Sequence, residues 1–112
     1  MRKQRIRIRR SLLKPYNLRR RKPGKDKEGG SIVDYEAAFP IEAAIWAASG
    51  KMQAEMYGER LNYIKNMQYE GTETMQEGDG ICVNAGPEDP PDYKIIAIND
   101  DFIPAQITLE RI

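Results

Sequence analysis

The 112 residues, 40% of them apolar and with a mean hydropathy of −0.69, suffice for one modest domain and not for two of ordinary size. No apolar run approaches the roughly 18 residues of a bilayer span, and no apolar stretch of secretory type follows the basic start, so neither a membrane protein nor an exported one is expected. The net charge of +1 hides a segregation: residues 1–28 hold 13 Lys and Arg against 2 acids, a balance of +11, and residues 29–112 hold 5 against 15, a balance of −10.

In chain order, Arg5-Ile6-Arg7-Ile8-Arg9 alternates strictly, which as a strand would separate two isoleucines from three guanidinium groups. Lys14-Pro15-Tyr16-Asn17-Leu18 leads into Arg19-Arg20-Arg21-Lys22. The Pro- and Gly-containing stretch from Lys22 to Gly30 then reads as a long loop at a hairpin tip. Residues 31–36 and 41–47 have the β-branched and aromatic content of extended segments, with Pro40 marking a bend or an edge. From Ser49 to Tyr69 two periods compete; a short helix over 50–57, stopped near Gly58, followed by a strand over 60–69 reconciles them. Gly78-Asp79-Gly80 is a turn, Ile81-Cys82-Val83 a short buried strand, and 86–91 a loop. Residues 93–98 and 106–110 are two more strands around the turn 99–101. Six or seven short strands and one helix indicate a small antiparallel barrel or sandwich over residues 31–112, preceded by a basic arm and loop over 1–30.

The residue types leave little room for catalysis. There is no histidine, and the one thiol, Cys82, lies among apolar neighbours, where it serves as a small hydrophobe. Glu88, Asp89 and Asp92, and again Asp100 and Asp101, fall in turns where exposed acids are ordinary, so no catalytic residue, metal ligand or cofactor site is expected. The chemically suggestive feature is the arm. Arg5, Arg7, Arg9, Arg10, Arg19, Arg20, Arg21, Lys22, Lys25 and Lys27 suit phosphate contact without base reading, because few aromatics interleave with them. Pairing with acidic protein neighbours fits them equally well. For Trp46, Tyr57, Tyr63, Tyr69 and Tyr93 a core position is the first expectation and an interface the second; Trp46, Met52, Met56 and Tyr57 are the candidates for a subunit interface.

Five segments carry a family likeness: Ala44-Ile45-Trp46-Ala47; Gly50 through Arg60; Tyr63-Ile64-Lys65-Asn66-Met67; Glu77-Gly78-Asp79-Gly80-Ile81-Cys82-Val83; and Asp92-Tyr93-Lys94-Ile95-Ile96-Ala97-Ile98. In this order they resemble the head-tail connector proteins of tailed bacteriophages, in particular the stopper or head-closure group. The likeness spans residues 40 to 111 and is one of pattern. It implies a small antiparallel β-barrel of about six strands that works in a ring of six or twelve copies. The ring would dock below the portal and its adaptor, above the tail tube or tail terminator, with double-stranded DNA in its lumen. The protein would reside in the virion neck after synthesis in the host cytoplasm. The long basic beginning departs from the shorter starts of that group. Two other readings stand beside it: a cytoplasmic nucleic-acid-binding barrel, and another neck or tail protein such as an adaptor or tail terminator.

Overall fold

Short alternating strands bury one face each, and in a chain of this size the economical way to cover every edge is to close the sheet on itself. A computed structural model describes residues 4–5, 10–25 and 31–112 and has this form. The strands are β1 (Gln4–Arg5), β2 (Lys14–Arg19), β3 (Arg21–Lys25), β4 (Ser31–Tyr35), β5 (Phe39–Ala47), β6 (Ile64–Gln68), β7 (Gly80–Cys82), β8 (Tyr93–Asn99), β9 (Phe102–Ile103) and β10 (Gln106–Arg111). One helix, α1 (Lys51–Tyr57), lies between β5 and β6. Six strands close an antiparallel barrel in the order β10-β6-β5-β2-β7-β8. The expected mainly β fold, with a six-stranded barrel and a short helix, is the fold observed.

Three boundaries differ from the sequence reading, each for a pairing reason. Residues 14–19, which the charge count groups with the basic arm, form a barrel strand: β2 joins β5 to β7 and carries the fully buried Leu18. Residues 21–25 and 31–35, expected as loop and strand, pair with each other as an antiparallel hairpin. The strand expected over 60–69 begins only at Ile64, and residues 58–63 form a 3-10 segment instead. The ladder of β6 with β10 ends at the pair Ile64–Glu110 and that with β5 at Lys65–Ala47, so residues before Ile64 pair with neither strand. The alternating strand expected over 5–9 falls mostly outside the described residues; within them, β1 pairs in parallel with β9.

Pro40 sits inside β5 and costs the sheet little. β5 pairs β2 through residues 39–43 and β6 through residues 44–47, so at Pro40 only one side of the strand is paired. A second irregularity lies in β8. Leu109 pairs Ile95 and Thr108 pairs Ala97, leaving Ile96 as an extra residue. The buried positions accordingly change parity along this strand, from Tyr93 and Ile95 to Ile98, which packs against the core. The barrel interior is filled by side chains, the largest fully buried ones being Leu18, Ile64, Met67, Ile81, Ile95 and Leu109.

Gly80, buried in the barrel wall, is closely approached by its neighbours. A methyl group there would overlap the Pro91 ring and lie 3.1 Å from a Tyr35 ring carbon. Gly80→Ala is therefore expected to lower stability by about 1–3 kcal/mol through overpacking, measured as a shift in the urea midpoint with an unchanged slope. A shift below about 0.3 kcal/mol would show that the proline moves aside freely.

Burial also sets a pH dependence. Cys82 is buried, and desolvation, assisted by the Asp92 carboxylate, pushes its thiol up; burial likewise pushes up the Tyr16 and Tyr93 hydroxyls, with Asp92 assisting at Tyr93. All three groups are held neutral by the fold and ionise more readily in the unfolded chain. Their contribution is thus fully present below the unfolded values, roughly 8.5 for Cys and 10 for Tyr, and is lost as pH rises through the higher folded values. Stability is expected to decline on the alkaline side in two stages, and Cys82→Ala should flatten the first. Melting curves collected between neutrality and strong alkali check this.

Candidate functional site

The basic segment is organised as a ribbon. β2 runs into β3 across Arg20, and β4 runs into β5 across residues 36–38, so two paired strands leave the barrel and continue beyond it. Between the pairs Leu18–Phe39 and Arg21–Tyr35 there are two residues on one strand and three on the other, which places a bulge at the ribbon's base. The Glu36 N–H donates to the Arg20 carbonyl there at 2.7 Å.

Asp79 fixes this base to the barrel. Its carboxylate is buried and accepts from the N–H of Arg21 at 3.0 Å and from the N–H of Gln76 at 2.9 Å. Gly78, at φ +94°, allows the turn to form and leaves room for the Arg21 side chain, which would lie 3.2 Å from a Cβ at that position. The sequence reading took Gly78-Asp79-Gly80 only as a turn. The signal for more was an acid set directly before an apolar strand, where its backbone is drawn into the sheet.

The candidate phosphate ligands are not equivalent in the fold. The Arg19 guanidinium donates to the backbone carbonyls of Glu36 and Asp89, both at 2.9 Å. Arg20 forms an ion pair with Glu73. Both therefore serve the ribbon base. Lys22 lies 3.7 Å from Asp34 in a half-exposed pair across the ribbon, a weak contact in water. The Arg21 side chain forms no ion pair among the described residues. Arg5 is placed in β1, Arg10 in a 3-10 turn and Lys25 at the end of β3, by backbone only; Arg7, Arg9 and Lys27 lie outside the described residues.

The four interface candidates, by contrast, converge. Trp46, Met52, Met56 and Tyr57 all line one groove of about 370 Å³ between α1 and the outer face of the barrel. Its floor follows from register: Trp46 pairs Asn66, Asn66 pairs Thr108 and Thr108 pairs Ala97, so one row of residues crosses four strands. Gln53 of α1 bonds Asn66 in both directions, at 2.8 and 3.1 Å, and ties the helix to that floor. No residue of α1 is buried; Met52 is 75% and Met56 66% exposed, and Trp46 is 38% exposed. Trp46 is thus a groove residue, whereas Tyr93 belongs to the core, Tyr69 packs against it and Tyr63 is exposed. No charged side chain lines the groove.

A second hollow, of about 380 Å³, lies at the ribbon base. Tyr35, Pro90, Pro91 and Ile112 form its apolar walls and Arg21 and Lys94 supply its charge. Lys94 did not stand out in the sequence. It comes beside Arg21 because β8 pairs β7 next to the turn that Asp79 pins: Gly80 faces Lys94, and the Gly78 N–H and Ile95 carbonyl bond at 2.8 Å.

Two of the clustered acids, Asp92 and Asp89, hold loop structure. Asp92 accepts from the N–H groups of Val83 and Asn84 at 2.7 and 2.9 Å, and Asp89 accepts from Gly86 at 3.3 Å. Among the described residues no three His, Cys, Asp or Glu side chains are grouped to hold a metal ion. In comparisons with protein-family models, curated proteins and solved structures, none matched this chain.

Proposed function

We propose that the protein is a structural subunit of a tailed-phage head-to-tail connector. In this reading it belongs to the stopper or head-closure ring, docks below the portal and adaptor, retains packaged DNA and presents the surface on which the tail assembles. The observation that carries the reading is the division of the surface: a closed barrel extends into a basic ribbon and elsewhere leaves open an uncharged groove that exposes Trp46, Met52 and Met56. Exposed Trp and Met with no charge among them are the composition of a protein contact. Repetition around a ring would multiply the ribbon's cations, so phosphate contacts too weak for one copy become effective in six or twelve.

The direct test is co-sedimentation of the full chain with purified portal–adaptor complexes. Binding at a fixed six or twelve copies per complex is expected, and failure to bind at all rejects the reading. In the phage, serine at Arg21, Lys22 and Lys25 should cause genome leakage after packaging, while unaltered retention would remove the DNA-contact part. Arg19 and Arg20 are unsuitable for this purpose, because their loss disturbs the ribbon base itself.

The nucleic-acid-binding barrel is less well supported. Binders of that kind present free cations beside stacking aromatics on the barrel face, whereas the cation over the Tyr57 ring, Arg60 at 5.8 Å, is already paired with Glu110. Salt-sensitive DNA binding by a free monomer would favour it.

A further inference from the structure

We propose that the groove beside α1 is a binding site for an uncharged sugar. This goes beyond the connector reading and does not rest on it. A protein contact accounts for the exposed methionines of the helix, Met52 and Met56, but the floor of the groove carries four neutral polar side chains set side by side. Register lays them out. Asn66 of β6 pairs Thr108 of β10, and two residues along the same face Gln106 pairs Asn99 of β8. Positions so related stand about 5 Å apart across strands and about 7 Å apart along one. Each of the four is a carboxamide or a hydroxyl, a group that donates and accepts without carrying charge. Trp46 borders this patch through its pairing with Asn66 and is 38% exposed.

The polar groups are held ready. Gln53 and Asn66 bond each other at 2.8 and 3.1 Å, which fixes both amides while leaving each a second N–H to offer. Asn99 accepts from the N–H of Asp101 at 3.1 Å and keeps its own amide hydrogens. Among the described residues no buried side-chain nitrogen or oxygen lacks a partner, so the unpaired groups of Gln106 and Thr108 are open to solvent in the groove. A sugar ring asks for this combination. Its rim of hydroxyls both donates and accepts, and its C–H face lies against the electron-rich face of an aromatic ring. Charged ligands are not served: no cation lines the groove to meet a phosphate, and Arg60, over the Tyr57 ring at 5.8 Å, is paired with Glu110. The groove's volume of about 370 Å³ lies within the range of about 300–1,000 Å³ found for small-molecule sites.

Trp46 is the only tryptophan of the chain, so its emission reports on the groove directly. Titration of the full chain with glucose, galactose, N-acetylglucosamine, maltotriose and cellotriose should give a saturable change with at least one of them. Half-saturation is expected on the order of 1 mM, because so open a site makes few contacts. Glycerol at the same concentrations is the control for solvent effects on emission. Saturation-transfer NMR on the sugar protons is a second readout that does not need the tryptophan. By it, Thr108→Val and Gln106→Leu, which keep the shape of the side chain, should each weaken binding roughly threefold to tenfold with melting unchanged. Trp46→Leu should abolish it.

No saturable response to any of these sugars in either readout overturns the proposal. A response that all three variants leave intact overturns it as well, since binding then lies elsewhere. Saturation by the uncharged peptide acetyl-Gly-Ser-Gly-amide, and by none of the sugars, would show a groove for polypeptide and count equally against a sugar site. Co-sedimentation with portal–adaptor complexes judges the connector reading separately.

Discussion

Asp79→Ala is expected to destabilise the protein by about 3 kcal/mol, although Asp79 touches neither the groove nor any catalytic group. The buried carboxylate is the acceptor for two backbone donors, the N–H of Arg21 and that of Gln76. Bonds to a charged acceptor are each worth about 1.5–3 kcal/mol, and a buried donor left alone costs about 1–3 kcal/mol. Water can reach part of the site once the side chain is cut back, so the two losses do not simply add. The damage should be local first: Arg21 begins β3, so the ribbon loses its attachment while the barrel ladder stays paired. Amide exchange should accelerate in β3 and β4 well before it does in β6 and β10. Asp79→Asn keeps one acceptor oxygen and should lose about half as much. An alanine variant within about 0.5 kcal/mol of wild type, with ribbon exchange unchanged, would show that the carboxylate does not pin the ribbon.

Leu18→Ala should cost about 2–5 kcal/mol, the range for a leucine removed from a core that only partly collapses around the gap. The upper part of that range is expected here. Leu18 is fully buried and lies opposite Phe39 on one side and Ile81 on the other, on the strand that connects β5 to the three-residue β7. β7 is the shortest strand of the closed barrel, and few ladder bonds hold the seam once the side chain that packs beneath it is gone. For a domain with about 5–15 kcal/mol in total, such a loss lowers the melting temperature by roughly 10 °C or more. Ile45→Ala provides the contrast, since Ile45 is only partly buried against the same core. Equal losses at the two positions would mean that the seam is not the weak point of the barrel.

What could be read along the chain and what could not divides by the range of the interaction involved. The strands 93–99 and 106–111 were legible because alternation and a turn of Asn and Asp between them are local signals. α1 was legible for the same reason, with Gly58 at φ +54° ending it. β2 was not legible: Lys14-Pro15-Tyr16-Asn17-Leu18-Arg19 has one deeply buried residue in six, and only its partners β5 and β7 make it a strand. Nor was the fate of Arg19 and Arg20. In sequence they belong to a uniform basic run, and in the fold they hold Glu36, Asp89 and Glu73 from distant parts of the chain.

By itself, the sequence determined the β-rich class, the short helix and the separation of positive from negative charge, because composition and short periodicities carry these without reference to distant residues. Only the tertiary structure decided which strands close the barrel, which cations remain free of ion pairs among the described residues, and that Trp46, Met52, Met56 and Tyr57 share one groove. Those outcomes depend on register between strands far apart in the chain, and a shift of a single residue would turn each inward side chain outward.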